Sequence, residues 1–353
     1  MERNEDMLKL VGYDQLGHDG NDGIRYAWQH ASSAYYVESA AFSQRSKAVS
    51  DDVCGYTTSV SAGCKLKSLN CACHFCRTGM LLPFDGLLTA EDIVAQNVFM
   101  VLSDMHCADH KRLKTNSREF AYMGQGEPGY SYLQIKEAII LTDIIMEKLN
   151  QNVFRHIIAS SGIPQMIREY KNDLANKTFS SQTTFHFSLH GAENRNRIMP
   201  IDIIFPYQNV LEELCELYSL SGQKPCVGIL LLKNFVAPKE GQVYSTDVEN
   251  ILDVLDPAKF RLSFCDFNDS PDLGSCDIFS EEECRYILDM AKKRGFEAKL
   301  FSSFGKEETT ACGMLGGKEP LHTPSHKWRE LEGEVLSLVN FAKYKLQEEI
   351  NNV

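Results

Sequence analysis

The chain has 353 residues, of which 43% are hydrophobic and 24% charged, a composition typical of a globular protein with a large core. Its net charge of −12 counts against a protein that binds nucleic acid over its whole surface, because phosphate binding needs lysine and arginine. The sequence has no apolar run of about 18 residues and no apolar leader, which predicts a cytoplasmic protein without a membrane span. Twelve cysteines in such a chain predict thiols, metal ligands or catalysis rather than disulfides.

The predicted elements alternate along most of the chain. Short β-branched stretches within residues 24–60 predict a small strand-rich extension. Beyond the cysteine-rich stretch 61–79, strands are expected near 120–123, 153–159, 183–189, 225–232, 260–265 and 296–301. Helices are expected to begin near 133 and Ser325 and at the capping residues Thr89, Asn209, Thr246 and Ser280, and Ser280 has Glu283 three positions later as in a capping box. Repeated strand–helix units indicate an α/β fold with a mainly parallel sheet, and about six units suit a partial (β/α)6 barrel. The predicted division is an extension at 1–60, a barrel core at 61–318 and a helical tail at 319–353.

The stretch 61–79 holds four cysteines within thirteen residues. Cys64, Cys73 and Cys76 have the close spacing of thiolates that hold an iron–sulfur cluster, and Phe75 would shield such a cluster from water. A cluster with three protein thiolates keeps one iron open for a substrate or cofactor. A zinc site or buried free thiols remain open alternatives at this point, because short Cys-x-x-Cys pairs also bind zinc.

Polar residues follow several of the predicted strands, at the end where barrel enzymes carry their chemistry. The loop 123–128 contains Gly126, which permits close backbone approach, and Glu127, which can accept bonds from an ammonium group. Further polar groups at strand ends are Ser160, Ser188, His190 and Asn268. Together they suit one cofactor pocket that binds a ribose and an adenine edge.

Five motifs occur in an order that resembles the RlmN/Cfr family of radical S-adenosylmethionine (SAM) methyltransferases, which modify adenine carbons of RNA. They are Gly-Cys…Cys-x-Phe-Cys-x-Thr-Gly, Met-Gly-x-Gly-Glu-Pro, Ser-Ser-Gly-Ile, Ser-Leu-His…Met-Pro-Ile and Ala311-Cys-Gly-Met-Leu315. The resemblance covers residues 22–318 and favours iron–sulfur over zinc. It implies a radical SAM barrel that uses a [4Fe–4S] cluster, S-adenosylmethionine, and an electron donor such as flavodoxin or ferredoxin.

The resemblance also implies a role for each matching residue. Cys64, Cys73 and Cys76 would hold the cluster, and Gly126 with Glu127 would bind the SAM amino group. The ribose and adenine would be held by Ser160, Ser188, Leu189, His190 and Asn268. Cys312 would be methylated by one cofactor molecule, and a 5′-deoxyadenosyl radical from a second would take hydrogen from that methyl group. Cys54 would release the product through a disulfide with Cys312, and Glu38 would accept a proton.

The sequence departs from the family pattern at two points. Eight residues separate Cys64 from Cys73 where the family has three, so Cys71 is an alternative third ligand. The segment before the cysteines is short, which implies that the family's N-terminal accessory domain is absent. With the acidic net charge, this departure counts against an RNA substrate, although Lys65, Lys67 and Arg77 or the segment 110–114 are candidate basic patches. A small-molecule or peptide substrate is the alternative, and a zinc-stabilised binding protein is the alternative of another class.

Overall fold

A computed structural model describes residues 7–16, 23–30, 33–43, 53–106, 115–237, 241, 243–268, 271–301 and 314–351. The predicted Cys312 and the predicted basic segment 110–114 lie outside the described residues. The strands are β1 (Lys9–Leu16), β2 (Gly23–Gln29), β3 (Val37–Ser43), β4 (Val53–Thr57), β5 (Ser61–Ala62), β6 (Gly86–Leu87), β7 (Ser117–Tyr122), β8 (Asn152–Ser160), β9 (Thr183–Ser188), β10 (Cys226–Leu231), β11 (Lys233–Val236), β12 (Val243–Tyr244), β13 (Arg261–Asp266), β14 (Ser275–Asp277) and β15 (Glu297–Phe301). The helices are α1 (Lys65–Ser68), α2 (Arg77–Leu81), α3 (Ala90–His106), α4 (Tyr132–Lys148), α5 (Pro164–Ala175), α6 (Tyr207–Ser221), α7 (Val248–Asp253), α8 (Glu281–Lys293) and α9 (His326–Asn351).

One ten-stranded sheet organises the molecule, in the order β1-β2-β3-β4-β7-β8-β9-β10-β13-β15. The first four strands pair antiparallel, whereas every pairing from β4 to β15 is parallel. Each step between successive parallel strands passes through at least one helix, as parallel pairing requires. The α/β fold with a partial (β/α)6 barrel is therefore confirmed, and so are the small strand-rich extension and the C-terminal helix; the extension's antiparallel pairing is a finding of the structure.

The extension and the barrel share this sheet across the predicted boundary at residue 60. β4 belongs to the parallel set, because it pairs with β7 from Val53↔Ser117 to Thr57↔Ala121. α9 contacts α3 and α4, and its Trp328 packs against Tyr26 and Phe99 in the core. In the described part of the chain, no helix is long and apolar enough to span a membrane.

Three predicted helix N-caps can be compared with the residues at which the helices begin. Ser280 and Glu283 form the predicted capping box of α8, in which each side chain accepts a bond from the other residue's backbone N–H. The predicted cap Asn209 of α6 is wrong, because this helix begins at Tyr207 after Pro206. The predicted cap Thr246 of α7 is wrong by one residue, since the side chain of Asp247 accepts the Asn250 N–H.

Candidate active site

The cysteine loop lies between β4 and α3 and is fixed by close backbone packing. Gly63 has φ +74°, and a Cβ there would lie 1.7 Å from the carbonyl oxygen of Pro83, so only glycine fits. The Cys76 N–H donates to the Cys73 carbonyl oxygen at 3.2 Å, which forms the expected tight turn. His74 N–H donates to the Ile198 carbonyl oxygen at 2.9 Å and anchors the turn to the segment after β9.

The eight residues between Cys64 and Cys73 are accommodated by the helical turn α1. Cys64 is the residue before this helix, and Asn70 follows it with a left-handed φ of 55°. The Cys71 N–H then donates to the Leu66 carbonyl oxygen at 2.8 Å, which folds the chain back. The insertion therefore loops out locally and leaves Cys64 and Cys73 near each other.

Electrostatics show which thiols lie together. Burial raises the pKa of Cys64, Cys73 and Cys76, and the charge of Cys76 raises the pKa of Cys64 and Cys73 further. Glu127 also raises the pKa of Cys64 and Cys73, so its carboxylate lies beside the thiols. For Cys71 burial alone raises the pKa, and its Sγ donates to the Leu69 carbonyl oxygen at 3.3 Å. The structure thus groups Cys64 with the Cys73–Cys76 pair, and Cys71 stays an alternative third ligand, because its charge acts on Tyr130 together with that of Cys64.

These crowded, buried thiols have the chemistry of metal ligands. Crowded, buried thiols are stable as thiolates only where a metal cation offsets their charge. Within the described ranges, no three His, Cys, Asp or Glu side chains are arranged to hold a single metal ion. The ligands of one zinc ion all lie about 2.0–2.3 Å from it. Each thiolate of a cubane cluster binds its own iron, so a wider spacing of the sulfurs is expected.

The loop after β7 presents Glu127 with its carboxylate already oriented. Glu127 Oε1 accepts from the Ser160 hydroxyl at 2.5 Å and from the Gly129 N–H at 2.9 Å, and Oε2 accepts from the Ser161 N–H at 3.0 Å. Gly126 has φ +111°, and a Cβ there would lie 2.3 Å from Ser61 Oγ. Glycine therefore brings this loop against the chain just before Cys64. Oε2 retains acceptor capacity for an ammonium group.

His190 is held neutral and in one tautomer. Burial, with a smaller contribution from Arg195, lowers its pKa to about 3. Its Nδ1 accepts the Leu230 N–H at 2.9 Å, so the neutral ring carries its proton on Nε2 and can donate there. The ring contacts Phe75 edge-on at 5.0 Å between centroids, which joins the cysteine loop to the end of β9. His190 has a positive φ of 58° at this turn.

Arg195, which no sequence pattern indicated, connects the segments that follow β8 and β9. It is fully buried, and it donates to the carbonyl oxygens of Leu189 at 2.9 Å, Ser161 at 2.6 Å and Ser188 at 3.0 Å. Its remaining partner is Asp202 at 2.7 Å. Its positive charge lowers the pKa of Cys73, so the guanidinium lies near the thiols as well.

The other predicted residues take different positions. Asn268 is buried two residues beyond β13. Glu38 is fully buried on β3 and accepts from the Gln125 amide at 3.1 Å, which links it to the loop that carries Glu127. Cys54 is fully buried in the core. It shares a face of β4 with Tyr56, whose hydroxyl donates to Asp104 of α3, so Cys54 lies on the helix-covered side and away from the barrel interior.

The predicted basic residues beside the cysteines make intramolecular contacts. Lys67 donates to the Met80 carbonyl oxygen at 2.7 Å, and the Lys65 ammonium lies 4.9 Å from the centre of the Phe84 ring. Arg77 pairs with Asp272 at 3.1 Å. These contacts do not form a free basic patch.

Comparison with known proteins gives relatives from the family that the sequence motifs resemble. No family model matches the chain. The chain is 24% identical over 266 residues to a probable dual-specificity RNA methyltransferase RlmN of Christiangramia forsetii, covering 74% of this chain and 70% of that protein. It is 27% identical over 297 residues to the dual-specificity RNA methyltransferase RlmN of Buchnera aphidicola, covering 82% and 74%. It is 27% identical over 248 residues to the ribosomal RNA large subunit methyltransferase Cfr of Clostridium botulinum, covering 69% and 65%.

Among solved structures, the fold is similar to that of a radical SAM methyltransferase from Sphaerobacter thermophilus. The TM-score is 0.71 at 19% identity, and the match covers 88% of this chain and 82% of that one. At this identity the likeness concerns the fold.

Proposed function

We propose that this chain is a radical S-adenosylmethionine methyltransferase of the RlmN/Cfr type and that it methylates an sp² carbon by way of a methylated cysteine. Its relatives are named RNA methyltransferases, so the proposed acceptor is an adenine carbon in RNA. The observation that carries the proposal is the grouping of Cys64, Cys73 and Cys76 beside the carboxylate of Glu127. A cluster with one open iron requires three protein thiolates. The SAM amino group requires an oriented hydrogen-bond acceptor, which the Glu127 carboxylate provides.

Cys64, Cys73 and Cys76 would hold the [4Fe–4S] cluster, with Cys71 as the alternative to Cys64. When bound, the cluster and SAM supply the radical chemistry, which protein side chains lack. Phe75 packs between the cysteine turn and His190, which supports its role in excluding water from this region.

The proposed SAM pocket uses the groups that Arg195 and Glu127 hold in place. Glu127 would accept from the SAM ammonium through Oε2, with Gly126 allowing close approach. The neutral His190 would donate from Nε2 to the adenosine. The remaining proposed contacts are Ser160, Ser188, Leu189 and Asn268. Their backbone or side chains belong to neighbouring strand ends, where barrel enzymes bind their ligands.

Cys312 would carry the methyl group to the acceptor. Support comes from the described residues just after it in the sequence. The Thr78 hydroxyl donates to the Leu315 carbonyl oxygen at 2.6 Å, and Arg77 Nη1 donates to the Met314 carbonyl oxygen at 3.4 Å. Arg77 directly follows the proposed ligand Cys76. Met314 is two positions after Cys312, and two residues of chain span at most about 7 Å, so the bond between Arg77 and Met314 supports a carrier role for Cys312 near the proposed cluster.

Glu38 would take the proton lost from the methylated carbon, and Cys54 would release the product as a disulfide with Cys312. The link from Glu38 through Gln125 to the Glu127 loop supports the first role. The second role has less support, because Cys54 lies on the helix-covered face of β4 and a disulfide would require β4 to rearrange.

A small molecule or peptide is the second candidate acceptor. The net charge of −12 and the internal contacts of Lys65, Lys67 and Arg77 favour such an acceptor. An RNA-binding surface should instead present lysine and arginine side chains to the phosphates.

One anaerobic experiment tests these proposals. The protein reconstituted with iron and sulfide is incubated with methyl-labelled SAM, a reductant and either total RNA or a metabolite extract. We expect label in RNA, with binding that weakens as salt rises. Label in the small-molecule fraction alone would favour the second candidate. The Cys312→Ala variant should still cleave SAM but form no methylated product, and continued methylation by it would contradict the proposed carrier role.

A further inference from the structure

A buried ion cluster lies behind the site, on the antiparallel strands. Arg25 of β2 is fully buried between Asp14 of β1 and Glu38 of β3, which are also buried. The guanidinium uses all five of its N–H groups. Nε donates to Asp14 at 2.8 Å, and Nη1 and Nη2 each pair with one of the two carboxylates. The two remaining donors bind the carbonyl oxygens of Lys318 at 2.9 Å and Glu319 at 3.3 Å.

Those carbonyls belong to residues 314–322, which we call the C-terminal strap. The strap begins two residues after Cys312, and its first two residues are bonded to α2 beside Cys76. Its middle is bonded to Glu38, whose Oε2 accepts the Gly317 N–H at 2.7 Å. Its end is bonded to β1, because the Leu321 N–H donates to Asp14 at 2.6 Å. Both carboxylates that pair with Arg25 therefore also bind the strap.

We propose that Arg25 is a positioning residue for the methyl transfer, which keeps Glu38 able to accept a proton and holds the strap that follows Cys312. This inference rests on the proposed roles of Glu38 and Cys312. The guanidinium of Arg25 contacts the carboxylate of Glu38, which is the proposed proton acceptor. It also contacts the backbone of the strap, which follows Cys312 in the sequence. It thereby links Glu38 to the strap, although these segments lie more than 270 positions apart in the sequence.

The charge balance around Glu38 supports this assignment. In the described residues, the groups that face it are Arg25 from β2, the Gln125 amide from the loop after β7 and the Gly317 N–H from the strap. Burial raises the pKa of Glu38, and Arg25 is the largest opposing influence. Without Arg25, two buried carboxylates would share no cation, and the pKa of Glu38 would rise further. A protonated Glu38 can neither accept the reaction proton nor bind the strap equally well.

The test compares Arg25→Gln and Arg25→Lys with the matched control Arg118→Gln. Arg118 is a second buried arginine, which bonds Tyr56 and Gln151 on the α3 side of the sheet rather than Glu38 or the strap. Product formation and SAM cleavage are measured from about pH 6 to about pH 9.5. Glu38 accepts a proton only as a carboxylate, so product formation should increase as pH rises through the pKa of Glu38. Loss of a neighbouring cation should move the midpoint of this increase to a pH about 1–3 units higher.

We expect this shift for product formation by Arg25→Gln, a smaller one for Arg25→Lys and none for Arg118→Gln, with SAM cleavage unshifted in all three. Lysine keeps the charge but offers three donors in place of five. A wild-type pH profile for the Arg25 variants, or an equal shift for Arg118→Gln, would overturn the inference. SAM cleavage without any methylated product in the wild type would instead remove the proposed function.

A second measurement needs no turnover. Hydrogen exchange of the strap amides is followed in the wild type and in Arg25→Lys, corrected for the intrinsic effect of pH. We expect the Gly317 amide to lose protection as pH falls through the Glu38 pKa, and to lose it at a higher pH in the variant. Equal protection in both proteins at every pH would contradict the link between Arg25, Glu38 and the strap.

Discussion

Replacing Arg195 by methionine should destabilise the site end of the barrel more than any exposed arginine change. The guanidinium is fully buried, and it donates to three carbonyl oxygens at the ends of β8 and β9. It also pairs with Asp202, which keeps a second bond from the Tyr207 N–H at 2.9 Å. Methionine has a similar length and no donors, so the variant removes the charge and the hydrogen bonds together.

The expected loss follows from these contacts. Removing one partner of a buried ion pair typically costs about 3–5 kcal/mol, because the other charge stays buried. The Asp202 side chain is 15% exposed and retains the Tyr207 N–H, which favours the lower end of that range. The three carbonyls lose bonds worth roughly 1 kcal/mol each where water cannot replace them. We therefore expect the free energy of unfolding to fall by about 3 kcal/mol or more.

Urea denaturation of the metal-free protein under reducing conditions measures this loss. Arg197→Met is the matched control, because Arg197 lies two residues away and is exposed. Its free energy of unfolding should stay within about 0.5 kcal/mol of the wild type. A loss below about 1 kcal/mol for Arg195→Met, or equal losses for both variants, would refute the assigned role of Arg195.

Three further predictions concern the cysteine loop and His190. Cys64→Ser should abolish most iron binding on reconstitution and Cys71→Ser should not, and the reverse result would exchange the two as third ligand. Gly63→Ala should also lower iron content although no ligand changes, because its Cβ would meet the Pro83 carbonyl oxygen at 1.7 Å, and a normal iron content would contradict this steric argument. Since the pKa of His190 falls from 6.5 to about 3 on folding, stability should decline as pH drops below 6.5, where only the unfolded state gains the proton. Denaturation of His190→Gln should show a flatter decline, and an unchanged decline would exclude this histidine as a cause.

Local patterns were sufficient for most of the fold. Alternating strand and helix signals predicted the parallel sheet, and the Ser280–Glu283 spacing predicted a cap that the structure contains. Local signals failed where two neighbouring residues could each begin a helix. Thr246 and Asp247 are such a pair, and Asp247 caps the helix while the Thr246 hydroxyl is bonded to the backbone of Leu230 and Leu232.

The residues that support the site could not be predicted in the same way. Arg195 and Arg197 begin and end a short 3₁₀ helix after β9, Arg195–Arg197, yet Arg195 is buried and Arg197 is exposed, because the two side chains leave different sides of this turn. Arg25 gains its partners only when β1, β2, β3 and the strap meet, and these segments are distant in sequence. The face on which Cys54 lies depends on the register of β4, since a shift of one residue would reverse it.

The cluster with one open iron is tested most directly by electron paramagnetic resonance of the anaerobically reconstituted, reduced protein with and without SAM. We expect about four irons and four sulfides per chain, a signal from the reduced cluster, and a change in that signal when SAM is added. A protein that binds only zinc, or an iron signal that SAM leaves unchanged, would contradict the proposed open iron beside Glu127.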